Sequence, residues 1–208
     1  MKRRRLPIPL ILLVPIAMLA VVIAAGMYRF SLSDDDIMAK FPNQPIESDA
    51  LLYAWLGISS PNPLTLNVPE SKAFAFIDEY DSANGLASGQ YDAGTERGRV
   101  TLFTQFKLDL RSDEEIWFTA PFMVSNQGSG RFYYLGLFKY DPQPRRVIMT
   151  DSVLLGDRIE LEQSQLGDNK YIEVTFLQHS AQQSYIEQPL DRVTQRYERV
   201  GNKLKQSK

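Results

Sequence analysis

The sequence predicts a mainly β domain, an antiparallel sandwich or partly open barrel, preceded by an N-terminal transmembrane helix and one or two short helices. Three observations predict it. The chain opens on a basic cluster followed by an uncharged apolar run from Leu6 to Met27. From Val100 onward, apolar residues recur at alternate positions, as on a half-buried strand. Turn signals then follow one another closely with almost no helical periodicity between them, the pattern of short antiparallel strands. The composition agrees with a folded domain: 208 residues, 44% hydrophobic, 23% charged, 12 Gly and 12 Pro. There is no cysteine, which excludes disulfides, thiol catalysis, thiolate metal centres and a lipidated cysteine. A lone His179 excludes a multi-histidine metal site within one chain.

Lys2, Arg3, Arg4 and Arg5 form a cytoplasmic stub over residues 1–5, and residues 6–27 form the predicted span. Such a run makes a helix of roughly 33 Å against a hydrocarbon core of about 30 Å. Pro7 and Pro9 fall in the first turns, where a missing N–H matters least. The basic flank on one side and Ser33-Asp34-Asp35-Asp36 on the other orient the N-terminus inward and the remainder outward. A cleavable signal ending near Ala24, Ala25 and Gly26 is the alternative, and both readings export the rest of the chain.

Residues 28–69 read as a juxtamembrane segment with short helices. Ser33 and Asp36 make a capping box, so a helix is expected over Asp34–Lys40, stopped by Pro42. Leu51, Leu52, Trp55 and Leu56 recur at helical spacing and Gly57 supplies the stop. Residues 70–200 read as the β-rich extracytoplasmic domain. A first strand is expected at Phe74 and Phe76, with Ile77 at its end, followed by a long polar loop over Asp81–Arg97. Val100, Leu102, Phe106, Leu108 and Leu110 share one face of a strand with Thr104 between. After a turn at Arg111–Glu114, Ile116, Phe118, Ala120, Phe122 and Val124 share another. The stretch RFYYLGLFKY, Arg131–Tyr140, is apolar on both faces, as a central strand should be. Asp141-Pro142-Gln143-Pro144 turns the chain into Arg145–Thr150, and further strands are expected at Arg158–Glu162, Tyr171–Leu177 and Arg192–Val200. Residues 201–208 read as a basic, frayed tail.

Charge narrows the partners. Residues 31–191 carry 12 basic and 24 acidic side chains. An acidic body argues against a nucleic-acid partner, which needs a basic face. No cofactor or metal is expected. The Asp81–Arg97 stretch has hard oxygen ligands, but Ala83 and Gly85 stand where a calcium loop needs acids or amides. His179 beside Ser180 lacks a nucleophile elbow, and Gly85-Leu86-Ala87-Ser88-Gly89 has the wrong spacing for one.

The most distinctive segment holds Gly128, Gly130, Phe132, Tyr133, Tyr134 and Leu135, then Leu155, Gly156, Asp157 and Arg158. It resembles a segment of small, uncharacterised bacterial extracytoplasmic β domains of the lipoprotein type. That resemblance implies a β-rich exported domain and transfers no activity; the lipidation cysteine of the lipoproteins is absent, so the helix would be the anchor. From the residues themselves, Gly156 is expected to take a positive φ and Arg158 to pair with an acid such as Asp151. Tyr133 and Tyr134 should point to opposite faces, one into the core. Tyr133, Tyr134, Asp157 and Arg158 are therefore the candidate contacts for a ligand or partner. The expected function is a single-pass, membrane-anchored periplasmic interaction or assembly module without catalysis, in the bacterial inner membrane, with an envelope or inner-membrane protein as partner. A tethered ligand-binding or sensory domain is the alternative, and a periplasmic hydrolase the third reading.

Overall fold

The structure is a computed structural model that describes residues 10–31, 47–110, 115–167 and 171–207. The chain divides into two compact units, Met1–Pro45 and Ile46–Lys208. The first contains helix α1, Leu10–Ser31, 22 residues with Pro15 inside it. Its large apolar side chains between Val14 and Tyr28 are exposed. Among the described residues no helix is long and apolar enough to cross a membrane, so the described helix does not meet the expected span over 6–27. Leu6–Pro9 and the expected helix over Asp34–Lys40 lie outside the described residues.

The second unit opens with helix α2, Glu47–Leu56. Gly57 ends it at φ +68 and donates its N–H to the Tyr53 carbonyl (2.9 Å), the left-handed stop the sequence predicts. The strands that follow are β1 (Thr65–Asn67), β2 (Phe74–Phe76), β3 (Glu79–Asp81), β4 (Leu86–Asp92), β5 (Arg97–Phe103) and β6 (Leu108–Asp109). Then come β7 (Trp117–Asn126), β8 (Arg131–Asp141), β9 (Arg146–Asp157), β10 (Glu160–Leu166), β11 (Ile172–Gln178), β12 (Asp191–Val200) and β13 (Lys203–Ser207). They form one sheet ordered β2-β1-β9-β8-β7-β5-β4-β3, with β6 alongside β7, and a second ordered β10-β11-β12-β13. The one parallel pairing described is β1 with β9.

The large sheet curls into a half-barrel. Only Ile77 and Asp78 separate β2 from β3, so one short run pairs β1 at its beginning and β4 at its end. Ile77 donates to the Leu64 carbonyl (2.9 Å) and Asp78 to the Ser88 carbonyl (3.1 Å), which draws the two margins together. Register shifts between β8 and β9 at Tyr133/Tyr134 and Leu137/Phe138 add the local twist that bulges bring.

Two cores share the central strands. Inside the curl, Leu51, Leu52, Trp55 and Leu56 of α2 plug against Phe118, Phe122, Tyr134 and Phe138. On the other face, Trp117, Leu135 and Leu137 meet Ile172, Val174, Phe176, Tyr197 and Leu204 of the four-stranded sheet. Alternate residues of β8 thus enter different cores, which is why that strand reads apolar on both faces.

Several expectations are corrected. The Asp81–Arg97 stretch is not a loop; β4 occupies its middle, its inward positions filled by Ala87, Gly89 and Tyr91. The strand expected from Val100 to Leu110 breaks at a 3-10 turn, Thr104–Phe106, where Thr104 donates to the Gly85 carbonyl and its own carbonyl accepts from Trp55 Nε1. In β2 the inward residue is Ala75, and Phe74 and Phe76 stand 55% and 57% exposed. The tail is not frayed, because β13 pairs β12 and buries Leu204. The turn at Arg111–Glu114 lies outside the described residues.

Candidate functional site

The glycine-flanked aromatic strand and the Leu-Gly-Asp-Arg bend meet at one end of β8. There β9 ends at Asp157, whose Oδ1 accepts the Arg131 N–H (2.9 Å), while Arg158 returns its own N–H to the Arg131 carbonyl (2.8 Å). The positive φ expected at Gly156 falls instead on Arg158, at +50. A left-handed arginine is uncommon and is held here by its side chain. Its Nε and Nη2 both donate to the Ser129 carbonyl (3.0 and 2.8 Å), and Nη2 also to Ser129 Oγ (2.9 Å). Asp151 is not its partner: that carboxylate takes Lys203 Nζ (3.2 Å) and the Leu204 N–H (2.8 Å).

The connection from β11 to β12 closes the other side. Tyr185 lies over the Arg158 guanidinium at 4.6 Å, and the His179 ring is 5.0 Å from Tyr185. His179 Nε2 contacts the Glu187 carbonyl at 2.9 Å. A carbonyl only accepts, so Nε2 carries the proton; Nδ1 is buried with no partner among the described residues. Between these groups lies a cavity of about 380 Å³ whose walls include Ser129, Arg131, Tyr133, Arg158, His179 and Tyr185. Burial pushes the Tyr133 hydroxyl up, and the Arg131 charge pulls it partly back, so at neutral pH it stays protonated. Its ring stacks on Phe103 at 5.7 Å.

Of the four residues singled out from the sequence, Tyr133 and Arg158 line this cavity, and Asp157 stands behind Arg158 at 3.8 Å. Tyr134 does not join them; its ring is 7% exposed in the inner core and stacks on Phe122. Sequence reasoning missed Arg131 and Tyr185. Arg131 was legible as the first residue of the strand, directly before the aromatic run. Tyr185 carried no signal, since its loop is placed only by the fold.

A second concave surface lies at the seam of the half-barrel. Phe74 and Phe76 border a groove of about 810 Å³ shared with Tyr91, Arg97, Arg99 and Asn126. The last pairing of β3 with β4 is Glu79↔Ser88, while β4 continues to Asp92. Beyond Ser88 no described strand pairs with that edge of β4. Arg97 pairs with Asp92 (2.8 Å) and Arg99 with Glu79 (2.5 Å) along the rim. Tyr91, inside, donates to Glu96 (2.8 Å), and burial pushes its hydroxyl up, so it stays protonated.

Among the described residues no group of three or more His, Asp or Glu side chains could hold a metal ion. Compared with protein-family models, curated proteins and solved structures, the chain matches none of them.

Proposed function

We propose that the chain is a membrane-anchored, extracytoplasmic binding module without catalysis, whose β domain captures an extended segment of an envelope or inner-membrane protein at the β2–β4 seam. The observation that carries this reading is the pair Phe74 and Phe76, more than half exposed on a three-residue strand beside the unpaired end of β4. Large apolar side chains next to free backbone donors and acceptors are what strand addition uses: the main chain gives affinity and the side-chain pockets give register.

The anchor is the part of this proposal that rests on sequence. In the sequence the uncharged run extends from Leu6 to Met27, and a helix of that length would span roughly 33 Å, enough for a hydrocarbon core. The preceding Lys2–Arg5 cluster favours the cytoplasm. A tether confines the domain near membrane partners and raises their effective concentration.

The test is purification of the full chain from native membranes in mild detergent, wild type beside Phe74→Ser/Phe76→Ser. The wild type should resist alkaline extraction and bring a stoichiometric partner. The double variant should keep its melting temperature and lose that partner. Release of the wild type by alkaline extraction overturns the anchor, and an unchanged partner in the variant overturns the seam.

A further inference from the structure

The cavity at the Arg158 bend carries an inference independent of the seam. The domain is acidic, and several of its basic side chains are neutralised locally: Arg97 by Asp92, Arg99 by Glu79, Arg192 by Glu162, Arg196 by Glu173 and Lys203 by Asp151. The two arginines of this cavity are held differently. Arg158 has only Asp157, at 3.8 Å, and its guanidinium is instead fixed by the Ser129 carbonyl and by Tyr185. Arg131 has no carboxylate within ion-pair distance among the described residues, although it belongs to the same wall. Two arginines, one of them rigidly held in a strained backbone, thus face a cavity together with a phenol that stays protonated and is able to donate.

We propose that this cavity is a carboxylate-binding site, which takes a carboxylate borne on a small apolar or aromatic body. Arg131 supplies the planar charged fork, with two parallel N–H donors matched to the two carboxylate oxygens. Tyr133 adds a hydroxyl donor, and the exposed face of Tyr185 receives the apolar body. Arg158 is the positioning residue: its bonds to Ser129 hold the β8 end and its stacking holds Tyr185 in place. A single charge fits better than a double one, because Glu187 also borders the cavity and Asp157 stands behind Arg158. The cavity, about 380 Å³, lies at the small end of ligand pockets and suits a metabolite-sized acid or the terminal residue of a peptide.

The full chain in detergent is titrated calorimetrically with N-acetylphenylalanine, with N-acetylphenylalaninamide, with a short peptide ending in Phe-COOH and with inorganic phosphate. The two carboxylates should saturate in the micromolar to millimolar range and the amide should not. The stronger of the two identifies free acid or chain end as the source. Arg131→Gln should weaken binding about tenfold or more, as expected for loss of a charge-assisted bidentate contact, with an unchanged melting temperature. Arg146→Gln, exposed at the opposite end of the β8–β9 pair, should leave it unchanged. Equal binding of the amide, tighter binding of phosphate, or full affinity in Arg131→Gln overturns the proposal, as does absence of saturable binding to either carboxylate.

Discussion

At the scale of single residues, the seam of the half-barrel depends on one missing side chain. A Cβ built on Gly89 would lie 1.8 Å from the carbonyl oxygen of Phe76, a backbone atom that cannot swing aside. Gly89→Ala should therefore separate β2 from β4 and destabilise the domain by about 2 kcal/mol or more in urea unfolding, where an exposed substitution such as Gln90→Ala should stay within about 0.5 kcal/mol. Three carboxylates in ion pairs report the folded state through pH. The Arg99 hydrogen bond holds Glu79 below its ordinary value, Lys139 does so for Glu115, and Gln165 followed by Arg196 does so for Glu173. A depressed folded pKa contributes stability above the unfolded value and loses it as pH falls through the folded one. The melting temperature should thus be flat above about pH 5 and decline below about pH 4.5; a melting temperature that rises on acidification would contradict this assignment.

Among the elements, α2 is the clearest case of a helix that fills a sheet. Trp55 meets Phe118 edge-on at 4.9 Å and Phe138 at 6.4 Å, and its Nε1 donates to the Thr104 carbonyl (3.2 Å). Trp55→Ala should cost about 3–5 kcal/mol, while Tyr53→Ala, on the exposed face of the same helix, should be nearly neutral. This helix, its glycine stop and the long strands β7, β8, β11 and β12 were legible because large apolar residues recur at their period. The elements that escaped have physical reasons. In β4 the inward positions are held by Ala87, Gly89 and Tyr91, too small or too polar to give an alternating signal. In β2 the pair Phe74/Phe76 outweighed Ala75 by hydrophobicity, yet Ala75 is the residue buried in the inner core. The basic residues of β13 hid a strand whose buried content is Leu204 alone. The candidate cavity was half legible: the strand and the bend that carry Tyr133 and Arg158 are sequence features, but the loop bringing Tyr185 and His179 to them depends on how β11 and β12 pair.

For the β domain as a whole, the decisive feature is that its two cores have a common wall. Tyr134 and Phe138 of β8 pack inward on α2, while Leu135 and Leu137 of the same strand pack outward on the four-stranded sheet. Asp151 of β9 accepts from both the Leu204 backbone and Lys203, and only Arg158 and Ile159 separate β9 from β10, so the smaller sheet is fastened at both ends. A wall cannot lose one face and keep the other, so the domain should unfold in a single step. The chain carries its own reporters, since its two tryptophans are divided between the cores, Trp55 in the inner and Trp117 in the outer. Trp117→Phe leaves fluorescence from the inner core alone, and Trp55→Phe from the outer alone. With the difference in stability between the two variants measured by circular dichroism, each fluorescence transition should coincide with that of its own variant's secondary structure. Leu135→Ala, an outer-core change costing about 2–5 kcal/mol, should then lower the midpoint seen by Trp55 as much as that seen by Trp117. If Trp55 kept its original midpoint while Trp117 lost its own, the four-stranded sheet would be a separately unfolding unit and the shared wall would not couple the cores.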